Sequence, residues 1–169
     1  KAAYESADNM TEQLTALNLS VRYGDGASML KAFEDQWKDD RLVMDKWFGV
    51  QVGQSEPEDT AKTVERLTRH PDFNWKNPNR FRAVFGMMAV HHAGFHHASG
   101  SGYELLADWL IKLDPLNPQT TARMCSAFQT WKRYDADRQA LIAAQLDRIL
   151  ATPDLSRDTT EMLTRIRTA

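Results

Sequence analysis

Apolar side chains recur at three- and four-residue intervals along almost the whole chain, and no stretch shows the strict alternation of a half-buried strand. Met10, Leu14, Leu17 and Val21 form the first stripe, introduced by Asp8-Asn9 and closed by Gly24 and Gly26. Leu30, Phe33 and Trp37 form a second. Asp39-Asp40 offers a cap for a third, whose inner face is Val43, Trp47, Phe48 and Val50. After a break from Gly53 to Pro57, Asp59 or Thr60 opens a short helix carrying Ala61, Val64 and Leu67. Pro71 to Lys76 is a connector whose Phe73 and Trp75 tuck against the helices. Asn77-Pro78 starts a helix with Phe81, Val84, Phe85 and Met88 inward, and His91 to Gly102 reads as a turn-rich loop. Tyr103, Leu106, Trp109, Leu110 and Leu113 make the next apolar face. Asn117-Pro118 starts a helix that buries Ala122, Cys125 and Phe128, with Trp131 a further candidate. Asp135 caps a helix with Leu141, Ile142, Leu146, Ile149 and Leu150, and Leu155-Ser156 supplies staple and cap for a last one with Met162, Leu163 and Ile166. Lys1 to Ala7 reads as the end of a helix already under way, as if the numbering began inside a longer polypeptide.

The pattern predicts an all-α chain of about eight or nine helices, each of roughly 10 to 16 residues, on short connections. The two Asn-Pro starts lie 40 residues apart, and each opens a helix that another apolar helix follows. That period suits a superhelical stack of antiparallel helix pairs, HEAT- or armadillo-like, over residues 1–169 as a single helical domain. In such a stack alternate helices line one concave side, so both Asn-Pro helices should present their starts to it.

Those starts carry the candidate chemistry. Asn caps free amides, and Pro occupies the first helical position, where a missing N–H costs nothing. Gln119 and Arg123 stand four apart and share one helix face. An amide and a guanidinium side by side could grip the backbone or carboxylate of a peptide. Arg80 and Arg82 lie in the first turns of the earlier Asn-Pro helix, and Arg82 should face the same side as Arg123. From spacing alone, surface arginines paired with Asp or Glu remain the competing interpretation.

The net charge of −2 and the lack of a basic stripe argue against nucleic-acid binding. The single Cys125 excludes an internal disulfide, fits a reducing cytoplasmic setting, and sits on an apolar stripe where an inert buried thiol is expected. No apolar run is long enough for a membrane helix, and no secretion signal is visible. His91-His92-Ala93-Gly94-Phe95-His96-His97 packs four imidazoles into seven residues, but Gly94 and the Ser99-Gly100-Ser101-Gly102 run mark a loop rather than a frame for metal ligands. No H-E-x-x-H, phosphate loop or G-x-S-x-G elbow occurs.

Several blocks, in order, resemble the C-terminal helical domain of bacterial aminopeptidase N, the alanyl-type zinc metallo-aminopeptidases. They are Ala7-Asp8-Asn9-Met10-Thr11, Leu42-Val43-Met44-Asp45-Lys46-Trp47-Phe48, Asn77-Pro78-Asn79-Arg80-Phe81-Arg82, Gly100-Ser101-Gly102-Tyr103, Asn117-Pro118-Gln119 and Lys132-Arg133-Tyr134-Asp135. The resemblance implies the C-terminal fragment of a larger multidomain enzyme that removes amino-terminal residues from peptides. In that family a superhelical last domain closes over the active site and leaves an internal chamber. It implies zinc in the parent enzyme, no zinc or catalytic residue in this fragment, and two partners: peptide substrate and the catalytic domain of the same polypeptide. By the same resemblance, Gln119 matches a residue reaching the pocket for the substrate's first side chain. Arg82 and Arg123 match arginines facing the chamber near the bound peptide's carboxyl end. The His91–His96 stretch departs from the family pattern, matching well only at Phe95 and His96. The alternative expectation is a free-standing helical-repeat scaffold that binds a protein partner.

Overall fold

The computed structural model describes residues 9–24 and 26–169, and every regular element among them is helical. The expected helix end at Lys1–Ala7 lies outside the described residues. Helix α1 is Met10–Tyr23, α2 Gly26–Trp37, α3 Arg41–Gly53 and α4 Thr60–Thr68. A composite helix follows: α5 (Pro78–Phe81), a π-turn (Arg82–Gly86) and α6 (Met87–Val90). Then come α7 (His92–Phe95), α8 (Ser101–Leu113) and α9 (Pro118–Met124), which tightens into a 3-10 turn at Cys125–Phe128. Helices α10 (Ala136–Leu150) and α11 (Arg157–Thr168) complete the described fold.

The helices begin where the capping residues place them. The side-chain oxygens of Asn9, Asp40, Asn77, Asn117, Asp135 and Ser156 each accept a backbone N–H from the first turn that follows. Gly100 adopts a left-handed conformation (φ 75°), which turns the chain sharply into α8. Successive helices pack on their neighbours, α1 on α2, α2 on α3, α8 on α10, and α9 and α10 on α11. Their inner faces merge into one apolar core through Leu17, Phe33, Phe48, Phe81, Leu106, Phe128, Ile142 and Leu163, all fully buried. This is the stacked-helix architecture expected from the 40-residue period. No described helix is long and apolar enough to cross a membrane.

Two expectations are corrected. Neither Asn-Pro helix is a uniform α-helix, since one widens into a π-turn and the other narrows into a 3-10 turn. The His91–Gly102 stretch is not wholly a loop, because it contains the one-turn helix α7. His91 caps that turn, its Nδ1 accepting the Gly94 amide at 3.0 Å while Nε2 donates to the Ser55 carbonyl at 2.7 Å. Gly94 is tolerated in the turn because its bare Cα lies against Thr60, where a side chain would not fit.

Candidate functional site

Asn117 holds the start of α9 by accepting the Thr120 amide at 3.0 Å. Thr120, Thr121, Ala122, Met124 and Cys125 are buried. That inner face leaves Gln119 and Arg123 together on the exposed one. They line a hollow of about 300 Å³ whose opposite wall is α11, through Asp158, Glu161, Met162 and Arg165. Glu161 is engaged by Arg157 Nε at 2.9 Å. Among the described residues, the guanidiniums of Arg123 and Arg165 make no hydrogen bond or ion pair. The hollow therefore holds an amide and two uncommitted cations beside two carboxylates, of which Glu161 is engaged by Arg157.

The wall opposite Gln119 is fixed by a residue with no local sequence signal. Asp114, 2% exposed at the end of α8, accepts the Ser156 amide at 2.7 Å and the Ser156 and Thr159 hydroxyls at 2.6 Å each. Its carboxylate thus serves as a second cap for α11, supplied from 42 residues upstream. At the far end of the helix, Trp131 Nε1 donates to the Ile166 carbonyl at 2.9 Å. Asp158, Glu161 and Arg165 are lining residues that the sequence pattern did not single out. Their spacing of three and four along α11 was the available signal.

Arg82 lies elsewhere. It lines a separate hollow of about 830 Å³ with Leu14, Leu42, Lys46, Val50 and Met87, and its Nη2 donates to Asn79 Oδ1 at 2.8 Å. Counted from the caps, Arg82 is the fifth residue after Asn77 and Arg123 the sixth after Asn117, a difference of roughly 100° around a helix. The position in step with Arg82 is Ala122, which lines the smaller hollow. The structure thus brings Gln119 and Arg123 into one site and sets Arg82 in another.

Arg80 is a structural residue. It is 7% exposed and its Nε donates to Asp45 Oδ1 at 2.6 Å. Its Nη1 donates to the Asp72 carbonyl, and the guanidinium lies 4.7 Å from the centre of the Phe48 ring. The Asn-Pro-Asn-Arg block is in this way bonded to the Val-Met-Asp-Lys block.

The histidine cluster is likewise absorbed by packing. His96 stacks on Tyr134 with centroids 3.8 Å apart, and its Nδ1 pairs with the Tyr103 hydroxyl at 2.7 Å. Burial, with His92 and Arg138 nearby, pushes the His96 pKa down to about 4, and burial pushes Tyr103 up. His97 Nδ1 accepts the Ser99 amide. Among the described residues, three potential ligand atoms come within 4.8 Å of one another only at Glu34, His70 and Asp72. There His70 Nδ1 accepts the Asp72 amide at 3.0 Å, which puts the ring proton on Nε2, 2.7 Å from Glu34. Neither ring nitrogen keeps a lone pair for a metal. Cys125 is fully buried, and burial raises its pKa to about 12, far from a reactive thiolate.

The chain is 40% identical over 164 residues to aminopeptidase N of Haemophilus influenzae, matching 95% of this chain and 19% of that protein. It is 39% identical over 165 residues to aminopeptidase N of Caulobacter vibrioides, matching 96% and 19%. A crystal structure of Legionella pneumophila aminopeptidase A in complex with aspartic acid superposes with a TM-score of 0.92 at 32% identity, covering 98% of this chain and 20% of that one. The chain therefore spans about a fifth of the length of these relatives. Residues 1–168 match the family model described as a domain of unknown function, DUF3458_C, with ARM repeats, and the chain belongs to that family.

Proposed function

We propose that this chain is the C-terminal helical domain of a cytoplasmic zinc aminopeptidase that removes amino-terminal residues from peptides. In this reading the domain caps the active site and lines the substrate chamber. The observation that carries it is the pairing of Gln119 with Arg123 on one exposed face. The Arg123 guanidinium there has no protein partner among the described residues, in a chain whose relatives are aminopeptidases over nearly its whole length. The amide is suited to hydrogen-bonding the first residue of a peptide. A guanidinium left unpaired in a half-enclosed hollow is suited to a carboxylate. Arg82, also free of any acidic partner among the described residues, lines the separate hollow, and in this reading it faces the chamber outside the Gln119–Arg123 site.

The zinc belongs to the parent polypeptide, where it would lower the pKa of a bound water. The role of these 169 residues is to position substrate and to exclude water. In the full polypeptide, Gln119→Ala should change the preference among first residues. Arg123→Ala should raise KM for short peptides about tenfold more than for the matching peptide amides. An unchanged first-residue profile would remove Gln119 from the pocket, and equal effects on peptides and amides would remove the carboxylate role. The chain alone should release no amino acid from peptides, with or without added zinc.

A further inference from the structure

Two adjoining hollows open among α1, α2, α3 and α4, one of about 480 Å³ and one of about 260 Å³. They share Val21, Leu30, Gln51 and Arg66 and so form one trough. The wider part has an apolar side, where Ala27 and Trp47 join Val21 and Leu30. Apart from Arg66, the charges lining that part are committed, Glu34 to His70 and Lys31 to Asp35, each at 2.7 Å. The narrower part differs. Two guanidiniums, Arg22 and Arg66, line it with two carboxylates, Glu56 and Asp59, and none of the four makes an ion pair among the described residues.

The local structure explains why these opposite charges do not pair. Asp59, Thr63 and Arg66 follow at four- and three-residue steps, on one face of α4 and the 3-10 turn (Pro57–Asp59) that leads into it. Asp59 and Arg66 are thereby set roughly 10 Å apart along the helix. Gln51, 4% exposed, holds Arg66 toward α3. Its Oε1 accepts Arg66 Nη2 at 2.9 Å, while its Nε2 donates to the Trp47 carbonyl at 3.2 Å. A neutral amide orients this cation without neutralising it and leaves the other guanidinium N–H groups free. Arg22 lies over the Tyr23 ring at 5.3 Å, and neither Glu56 nor Asp59 caps the turn or helix that follows it. Gly26 keeps the corner between α1 and α2 tight, since an added Cβ would come within 2.8 Å of Val21 Cα.

Two free charges of each sign in one hollow suit a ligand that carries both. An anion alone would meet Glu56 and Asp59, and a cation alone would meet Arg22 and Arg66. We propose that the trough binds a free α-amino acid with an apolar side chain. Its carboxylate lies on the Arg66 and Arg22 guanidiniums, its ammonium on Glu56 and Asp59, and its side chain against Val21 and Leu30 in the wider part. The site is separate from the Gln119–Arg123 hollow, which is built on α9 and α11. The choice of a free amino acid among zwitterions rests on the enzyme reading above, since that reaction releases one, and the trough would then sense product.

The test titrates the chain with L-leucine, N-acetyl-leucine, leucinamide and glycine, followed by two-dimensional NMR. These probes remove in turn the ammonium, the carboxylate and the side chain. Saturable binding of leucine is expected, about tenfold tighter than that of each other probe, with the shifts confined to α1 through α4. Arg66→Gln should weaken leucine about tenfold, and Asp59→Asn should abolish the preference for leucine over N-acetyl-leucine. Both side chains are exposed, and circular dichroism checks that each variant keeps its helix content. Absent binding, or equal binding of leucine and N-acetyl-leucine, overturns the proposal. So do shifts on α9 and α11 that Arg66→Gln leaves unchanged, which would assign leucine to the Gln119 hollow. Leucine binding that vanishes in the full polypeptide would assign the trough to a domain contact and overturn the proposal as well. If leucine fails to bind while Gln119→Ala still changes first-residue preference, the trough alone is lost and the enzyme reading stands. If leucine binds as expected while Gln119→Ala changes nothing, the trough stands and the pocket role of Gln119 falls.

Discussion

The two Asn-Pro helices start alike and end differently. Both are capped by an Asn side chain with Pro at the first helical position. The earlier one then widens into a π-turn against Gly49 and buries its first arginine, Arg80, on Asp45. The later one narrows into a 3-10 turn, buries threonines and Cys125, and leaves its arginine, Arg123, unpaired among the described residues. A shared start signal therefore fixes where a helix begins, whereas tertiary neighbours decide its pitch and which side chains remain free. The first helix is held by a charge pair beneath it. The second is held from the side by α11, which Asp114 fixes in place.

The sharpest way to break this contrast is to remove the anchor of each helix. Arg80→Ala leaves Asp45 without its partner in a largely buried setting and should cost about 3–5 kcal/mol in chemical denaturation. A loss below about 1 kcal/mol would make the first helix no more anchored than the second. Asp114→Ala leaves an amide and two hydroxyls without their acceptor and should cost about 2–4 kcal/mol. Hydrogen exchange in that variant should quicken first in α11 and α9.

The buried His96, which lies between the two Asn-Pro helices in sequence, should show itself in pH dependence. Because the folded His96 titrates at about 4, below the ordinary 6.5, the unfolded chain binds the proton more readily between those values. This residue's contribution is full above pH 6.5 and falls by about 1.4 kcal/mol per pH unit as acid is added toward pH 4. A His96→Asn variant should lack that part of the slope when denaturation curves at about pH 7, 5.5 and 4.5 are compared. The smallest expected effects sharpen the comparison from the other side. Arg82→Gln and Arg123→Gln should each change stability by less than about 0.5 kcal/mol, as expected of side chains that support no packing. A larger loss in either would mean a structural partner and would weaken its assignment to substrate.

What could be read from the chain in advance follows from the range of the interactions. Caps and apolar stripes act over three or four residues, so Asn117, Asp135 and Ser156 marked real helix starts. Gln119 and Arg123 were legible as a pair for the same reason. The Arg80–Asp45 pair, the Asp114 bonds to Ser156 and Thr159, and the π-turn at Arg82 depend on neighbours more than 30 residues away, and no local pattern announces them. That Arg82 and Arg123 line different hollows was not legible for a subtler reason. A one-residue offset from the cap is small in the sequence but turns a side chain by about a quarter of a helical circle.

The double fastening of α11, at Ser156 by Asp114 and at Ile166 by Trp131, bears on how the smaller hollow would discriminate in the substrate role proposed for it. A wall that cannot yield does not mould itself to a guest. Misfitting side chains are turned away at full energetic cost, while a matching one binds without first having to freeze its receptor. Selectivity at Gln119 should accordingly be steep and hard to broaden by altering Gln119 alone. Loosening Asp114 is the change that would make it tolerant.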